Sequence, residues 1–255
     1  MRKITKTIGI IPARYASVRF PGKPLVDIAG KTMIHRTYIQ ASAVPDFAAV
    51  YVATDDRRIY DAVQSFGGNV VMTSDKHRSG TDRCAEVVKI LNDPKIDFAV
   101  NIQGDEPFID PRQIRQVIEV IKGENRNTDA PLPPLATLAK RITVSDELFN
   151  ENTVKVVFDD RLNALYFSRN PIPYIRGKAK KDWLTGHLFF KHIGLYAYRA
   201  DILQKITQLP AGRLERAESL EQLRWLENGL KIRVGITEIE SKGIDTPEDL
   251  ENFLL

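Results

Sequence analysis

Gly9-Ile10-Ile11-Pro12-Ala13-Arg14-Tyr15-Ala16-Ser17-Val18-Arg19-Phe20-Pro21-Gly22-Lys23-Pro24-Leu25 is the stretch on which the reading of this chain turns. The apolar run that enters it, residues 8–11, is short and has no polar face, the pattern of a parallel strand buried on both sides. It empties into a loop that carries Arg14, Arg19 and Lys23. In an open α/β sheet ligands bind beyond the carboxyl ends of the strands, so these cations leave the sheet where a ligand would sit. An anion is implied, and a polyphosphate is the commonest of that kind. The loop is no Walker loop, because Pro24 follows Lys23, and no Gly-x-Gly-x-x-Gly follows the strand. A backbone nest over 13–17, with Arg14 and Lys23 as point charges, remains as a way to hold a triphosphate. The plainer alternative is a solvated surface loop.

Outward from this stretch the first half alternates. Residues 8–11, 50–53, 69–72 and 98–102 read as strands, and 33–43, 57–66, 81–91 and 111–121 as helices. Such alternation predicts βαβ units, a parallel sheet and helices on both faces. Residues 122–134 are polar and Pro-rich and read as a linker. Beyond them the pattern becomes richer in strands: 134–141, 154–158, 164–168, 193–198 and 232–236, with a turn at 159–163, a basic loop at 176–182 and one helix over 214–228. Thr246-Pro247-Glu248-Asp249 predicts a helix start, with Thr as N-cap, Pro at N1 and Asp at N3.

The chain has 255 residues, 43% of them hydrophobic, and a formal net charge of +4. This suits one large α/β domain and excludes a disordered chain. Its cations are scattered along the sequence, which argues against nucleic acid as a partner. A single cysteine, Cys84, and no apolar stretch of spanning length argue for a reducing cytoplasm and against a membrane.

Several polar groups follow strand ends. Asp105, in Asn101-Ile102-Gln103-Gly104-Asp105-Glu106-Pro107, suits Mg²⁺, which takes one or two carboxylates plus phosphate oxygens and water. Asp110 is the better cap of the next helix, with Pro111 at N1, and this leaves Asp105 for metal. Asp245, just outside the last helix, is a second metal carboxylate or an N-terminal dipole partner. Ser79 and Gly80 precede a helix and suit a base or phosphate, although simple capping also accounts for them. His192 and Tyr196 share a strand face, which is either a pocket wall or the solvent face of an edge strand. Arg169 ends a strand and suits a carboxylate or a surface ion pair. Glu218, Glu221 and Gln222 read as charges and amides of one helix, with Glu218 and Gln222 at i and i+4. His35 and Cys84 read as structural, and no zinc or serine-hydrolase spacing occurs.

Eight strings in order carry a resemblance: Ile-Pro-Ala-Arg-Tyr-Ala-Ser-x-Arg-x-Pro-Gly-Lys-Pro-Leu, Val-Ala-Thr-Asp, Ser-Gly-Thr-Asp-Arg, Gln-Gly-Asp-Glu-Pro, Ala-Leu-Tyr-Phe-Ser-Arg, His-Ile-Gly-Leu-Tyr, Leu-Glu-Gln-Leu-Arg and Asp-Thr-Pro-Glu-Asp-Leu. Together they resemble the 3-deoxy-D-manno-octulosonate (Kdo) cytidylyltransferases, a branch of the sugar nucleotidyltransferases. The resemblance runs from about residue 8 to the carboxyl end, leaving out mainly 122–134 and 176–188. It implies a Rossmann-like nucleotidyltransferase fold with a mixed, mostly parallel sheet. It also implies a single domain over 1–255, in which about 135–200 include a smaller β-rich lobe for sugar binding and dimerisation. The implied reaction joins CTP and the eight-carbon acid sugar Kdo into CMP-Kdo and pyrophosphate for lipopolysaccharide. The implied catalytic positions are Arg14, Lys23, Asp105 and Asp245. Ala13, Arg14, Lys23, Ser79 and Gly80 would hold the nucleotide, and Asp105 and Asp245 the Mg²⁺. Gln103, Arg169, His192, Tyr196, Glu221 and Gln222 would hold the sugar, with Arg169 on its carboxylate. A homodimer is implied. A cytidylyltransferase for 8-amino-Kdo or a sialic acid is the neighbouring alternative, and a non-catalytic nucleotide-binding module the more distant one. Phe20, where Leu is commoner in the family, reads as a packing change.

Overall fold

A computed structural model describes residues 6–16, 20–124, 131–240 and 243–254. Arg19, Ser17 and part of the expected linker lie outside these residues. In chain order the elements are β1 (Lys6–Ala13), the short pair β2 (Asp27–Ile28) and β3 (Lys31–Thr32), α1 (Met33–Ser42), β4 (Phe47–Thr54), α2 (Arg57–Ser65), β5 (Asn69–Met72), α3 (Gly80–Leu91), β6 (Ile96–Asn101) and α4 (Pro111–Lys122). The second half holds β7 (Leu135–Arg141), α5 (Ser145–Phe149), β8 (Lys155–Phe158), β9 (Ala164–Ser168), α6 (Trp183–Gly186), β10 (Phe190–Arg199), α7 (Ala200–Ile206), α8 (Arg213–Glu218), α9 (Glu221–Glu227), β11 (Ile232–Thr237) and α10 (Pro247–Leu254).

The main sheet runs β11-β7-β10-β6-β1-β4-β5. β5, β4, β1 and β6 are mutually parallel, as the alternating half predicts, and β11 is parallel to β7. β10 runs antiparallel between β6 and β7, so the sheet is mixed but mostly parallel. Strand alternation sends Ile8 and Ile10 to one face, under α3, α7 and α9. Ile11 and Ala13 go to the other face, under α1, α2 and α4. Both faces are therefore covered, which is why the β1 run has no polar side.

β10 is longer than expected and does two jobs. Its second half pairs with β6, while Lys191 in its first half pairs with Lys155 of β8. β8 and β9 form a hairpin that extends the sheet into a small lobe. This lobe has its own apolar cluster of Ile142, Leu148, Trp183 and Phe189. The basic loop 176–182 leads into that cluster: the Trp183 indole donates to the Lys178 carbonyl at 3.2 Å, and the Lys180 ammonium lies 5.3 Å from the Phe149 ring centre.

The helix expected over 214–228 is two helices. Ser219 adopts φ 53°, and Leu220 N–H reaches back to the Glu215 carbonyl at 3.3 Å, the closure of a Schellman turn. Glu218 and Gln222 therefore do not share a helix. The break lets Glu218 serve β9 while Glu221, three residues on, serves α3. Elsewhere the expected caps hold: Asp110 accepts from Arg112 N–H at 2.8 Å, and Thr246 and Asp249 close the start of α10.

Candidate active site

The site lies where β1 and β6 end. After β1 the chain turns back on itself: Gly22 N–H donates to the Tyr15 carbonyl at 3.0 Å, and Gly22 takes φ 72° against the Tyr15 ring. The Arg58 guanidinium stacks 3.3 Å from the centre of that ring, which fixes the other flank of the loop. A short 3₁₀ turn, Lys23–Leu25, then aims Lys23 into a cleft that Ala13, Arg14, Asp105 and Asp245 also line.

The Lys23 ammonium sits 2.8 Å from Asp105 Oδ2 and 3.1 Å from Asp245 Oδ1. Two carboxylates far apart in sequence thus share one cation. A backbone bond from Ile244 N–H to the Asp105 carbonyl, at 2.9 Å, splices the α10 approach onto the β6 loop and sets this pairing. The opposite wall of this outer cleft is the start of α3. Ser79 caps it and Asp82 returns the bond, so the Ser79 hydroxyl is used in capping. The backbone of Gly80 abuts β1: a Cβ there would lie 3.2 Å from Pro12 Cγ. Arg83, almost wholly buried, also lines the cleft and is tied to Asp55 at 2.5 Å and to the Thr73 hydroxyl at 2.7 Å.

A second, inner cleft adjoins the first across Gly80 and Gln103, which line both. Its walls are β6, β10 and the start of α9. His192 and Tyr196 face into it together, their ring centres 5.2 Å apart. Of the two readings left open for this strand face, the pocket wall holds, because β10 is an inner strand covered by α9. Gln103 Nε2 donates to the Gly194 carbonyl at 2.9 Å. Glu221 accepts from the Thr81 hydroxyl and the Arg224 guanidinium, each at 2.6 Å, and its burial raises its pKa. Burial pulls the His192 imidazole down to about 3, so the ring is neutral, and it keeps the Tyr196 and Tyr198 phenols protonated. Gln222 is buried at the same wall.

Two buried polar atoms in this inner cleft, the Tyr196 hydroxyl and Asn101 Oδ1, have no hydrogen-bond partner among the described residues. The Thr137 hydroxyl, which adjoins Tyr196, is already engaged with the Ile193 and Leu195 carbonyls. The lining is largely polar, with Thr81, Gln103, His192, Glu221 and Gln222 among its residues, which suits a polar ligand.

Arg169 stands apart. Its Nε donates to the Glu218 carbonyl at 2.7 Å and one terminal nitrogen to the Glu151 carbonyl at 3.1 Å, and it lines neither cleft. Glu218 is likewise structural, accepting from the Ser168 hydroxyl and Arg169 N–H. Sequence reasoning did not single out Thr81, Arg83, Asn101 or Tyr198. For Arg83 a signal existed: a cation on the buried face of an amphipathic helix, one turn before Val87. Asn101 is a polar end to an apolar strand. His35, stacked on Phe66 at 4.1 Å, and wholly buried Cys84 are structural, as read.

A family model described as cytidylyltransferase matches residues 8–232. The chain is 58% identical to the 3-deoxy-manno-octulosonate cytidylyltransferase of Parabacteroides distasonis, over 98% of this chain and 97% of that one. It is 56% identical to the protein of the same name from Cytophaga hutchinsonii, over 95% and 94%. A solved structure of CMP:2-keto-3-deoxy-manno-octonic acid synthetase complexed with CTP superposes with a TM-score of 0.88 at 44% identity, covering 98% and 97% of the two chains.

Proposed function

The chain belongs to the 3-deoxy-manno-octulosonate cytidylyltransferase family, and from that premise we propose that its outer cleft receives CTP and its inner cleft the sugar Kdo. The reaction transfers CMP from CTP to the anomeric hydroxyl of Kdo and releases pyrophosphate, a step of lipopolysaccharide biosynthesis. The observation that carries the assignment of the clefts is their junction. A cleft with Arg14, Lys23 and Arg83 on its walls meets, at Gln103 and Gly80, a cleft lined mostly by polar side chains.

The division of labour follows from charge. Both substrates are anions, and Arg14 and Lys23 offset their repulsion so that the sugar oxygen can approach the α-phosphorus in line with the departing pyrophosphate. Asp105 and Asp245 fit Mg²⁺. They already share a cation in Lys23, and a pair of carboxylates leaves the other positions of Mg²⁺ to phosphate oxygens and water. Bound there, Mg²⁺ would neutralise phosphate charge and lower the pKa of the attacking hydroxyl. Ala13, Ser79 and Gly80 would border the nucleotide. Gln103, His192, Tyr196, Glu221 and Gln222 would hold the sugar. Arg169 is proposed for the sugar carboxylate: its guanidinium, held outside both clefts by the Glu218 and Glu151 carbonyls, would have to leave one of them for a partner that is itself charged, and an ion pair of this kind is the stronger bond. A cytoplasmic homodimer is part of the same reading.

The test is pyrophosphate release from CTP and Mg²⁺ with Kdo, 8-amino-Kdo, a sialic acid or no sugar. Release that requires CTP and is fastest with Kdo is expected. Release with a sialic acid and none with Kdo would overturn the sugar assignment. Asp105→Asn should lower turnover by about 10²-fold or more at saturating Mg²⁺. Near-normal turnover of that variant would remove the metal role of Asp105.

A further inference from the structure

Thr137 lies in β7, wholly buried, and its hydroxyl meets the Ile193 carbonyl at 3.0 Å, the Leu195 carbonyl at 2.9 Å and His192 Nε2 at 3.0 Å, with the Tyr196 hydroxyl, a group that can donate to its second lone pair, adjoining it. The cause is a break in the ladder. The register between β10 and β7 shifts between Ile193 and Tyr196, so carbonyls in that interval turn to side chains. Gly194 offers its carbonyl to Gln103, and its two neighbours offer theirs to Thr137.

A threonine hydroxyl has one proton and two lone pairs. Carbonyls only accept, so the proton must lie on their side. Were it turned to the imidazole, two carbonyl oxygens would face hydroxyl lone pairs at hydrogen-bond distance in a buried site. The ring nitrogen at 3.0 Å is then the donor. The imidazole is neutral, so it has one N–H only, and with Nε2 protonated, Nδ1 carries a bare lone pair. No described residue bonds Nδ1, and the ring lines the inner cleft, flanked by Phe167 and Tyr196.

We propose that Thr137 is a positioning residue that locks His192 as the Nε2–H tautomer and so presents Nδ1 as a hydrogen-bond acceptor to a hydroxyl of the sugar. The same bulge sets Gln103: with Nε2 given to Gly194, its Oε1 is left as an acceptor. Two acceptors on one cleft, His192 Nδ1 and Gln103 Oε1, select a ligand that offers hydroxyl donors, which is the chemistry of a polyol chain. The inference rests on the reading that the inner cleft takes the sugar, and it adds which atoms recognise it and what sets their polarity.

Nitrogen-detected NMR of imidazole-labelled protein without substrates tests the first half, with His192→Gln used to assign the signal among four histidines. Neutral Nε2–H is expected for the intact protein at pH 7. Thr137→Ser should keep this tautomer, and Thr137→Val, of the same shape without the hydroxyl, should lose it. An Nδ1–H or doubly protonated His192 in the intact protein overturns the proposal, and so does an unchanged tautomer in folded Thr137→Val. Kinetics test the second half. Thr137→Val should raise KM for Kdo about tenfold, with kcat and the KM for CTP within about twofold, and Thr137→Ser should restore it. An unchanged KM for Kdo in Thr137→Val, or an equal rise for CTP, overturns it too. Should the intact protein not use Kdo at all, the failure belongs to the assignment of the sugar, and the NMR result still decides the tautomer.

Discussion

Gly104 lies in the loop after β6, packed against the backbone at the end of β1. A Cβ on it would lie 2.7 Å from the Pro12 carbonyl oxygen, backbone against backbone, with no flexible side chain to yield. Gly104→Ala must therefore push the end of β6 from the end of β1 and carry Asp105 away from Lys23. We expect a loss of about 1–3 kcal/mol in stability and a larger loss of turnover than of CTP affinity. An unchanged Tm in a thermal melt would show that the strand ends separate freely. At this scale much was legible. Lys23, Asp105 and Asp245 each announce themselves as a charge beside a strand or helix end. That one ammonium bridges both carboxylates was not legible, because the bridge depends on Ile244 docking against Asp105 across most of the chain.

At the scale of the element, α10 shows how a cap reaches the site. The Asp249 carboxylate accepts from Asp245 N–H and Thr246 N–H, both at 2.9 Å, so the cap that starts the helix also holds the backbone of Asp245. These N–H bonds keep the Asp249 carboxyl below its ordinary value of 3.8. Its folded pKa is the lower one, so its contribution is complete above 3.8 and drains away as pH falls from there through the folded value. Asp249→Ala should cost about 1 kcal/mol and raise the Mg²⁺ concentration needed for half-maximal turnover. The stability gap from the parent, measured by urea unfolding, should be equal at pH values well above 3.8 and close only below it. A gap that already closes between neutral pH and about pH 5 would contradict this. The cap itself was legible from Thr246-Pro247-Glu248-Asp249. The break between α8 and α9 was not: Ser219 is an ordinary residue in a helical pattern, and its left-handed turn is imposed by the different partners of Glu218 and Glu221.

For the whole molecule, the question is whether the small lobe is a unit of its own. β10 belongs to both parts, pairing with β6 in one half and β8 in the other, and the lobe's cluster has four buried apolar side chains. Such a cluster is too small to stand alone. The two tryptophans report on the two parts, Trp183 on the lobe and Trp225 on the main core. We therefore expect Trp183→Phe and Trp225→Phe to unfold in urea with coincident fluorescence and far-UV circular-dichroism transitions within each variant. A lobe signal that melts well before the circular dichroism in Trp225→Phe would make the lobe a separate domain.

The sequence by itself determined the parallel half of the sheet, the helices on both its faces, the caps of α4 and α10 and the identity of most charged groups at the cleft. These follow from local periodicity, turn chemistry and the residue at each strand end, which are written within a few residues of one another. Only the tertiary structure decided that β10 is an inner strand, that its bulge turns carbonyls toward Thr137 and Gln103, and that Arg169 is held by backbone carbonyls outside both clefts. Each of these depends on which segments become neighbours, and hydrogen-bond partners contributed by distant strands leave no mark on the local pattern of apolar and polar residues.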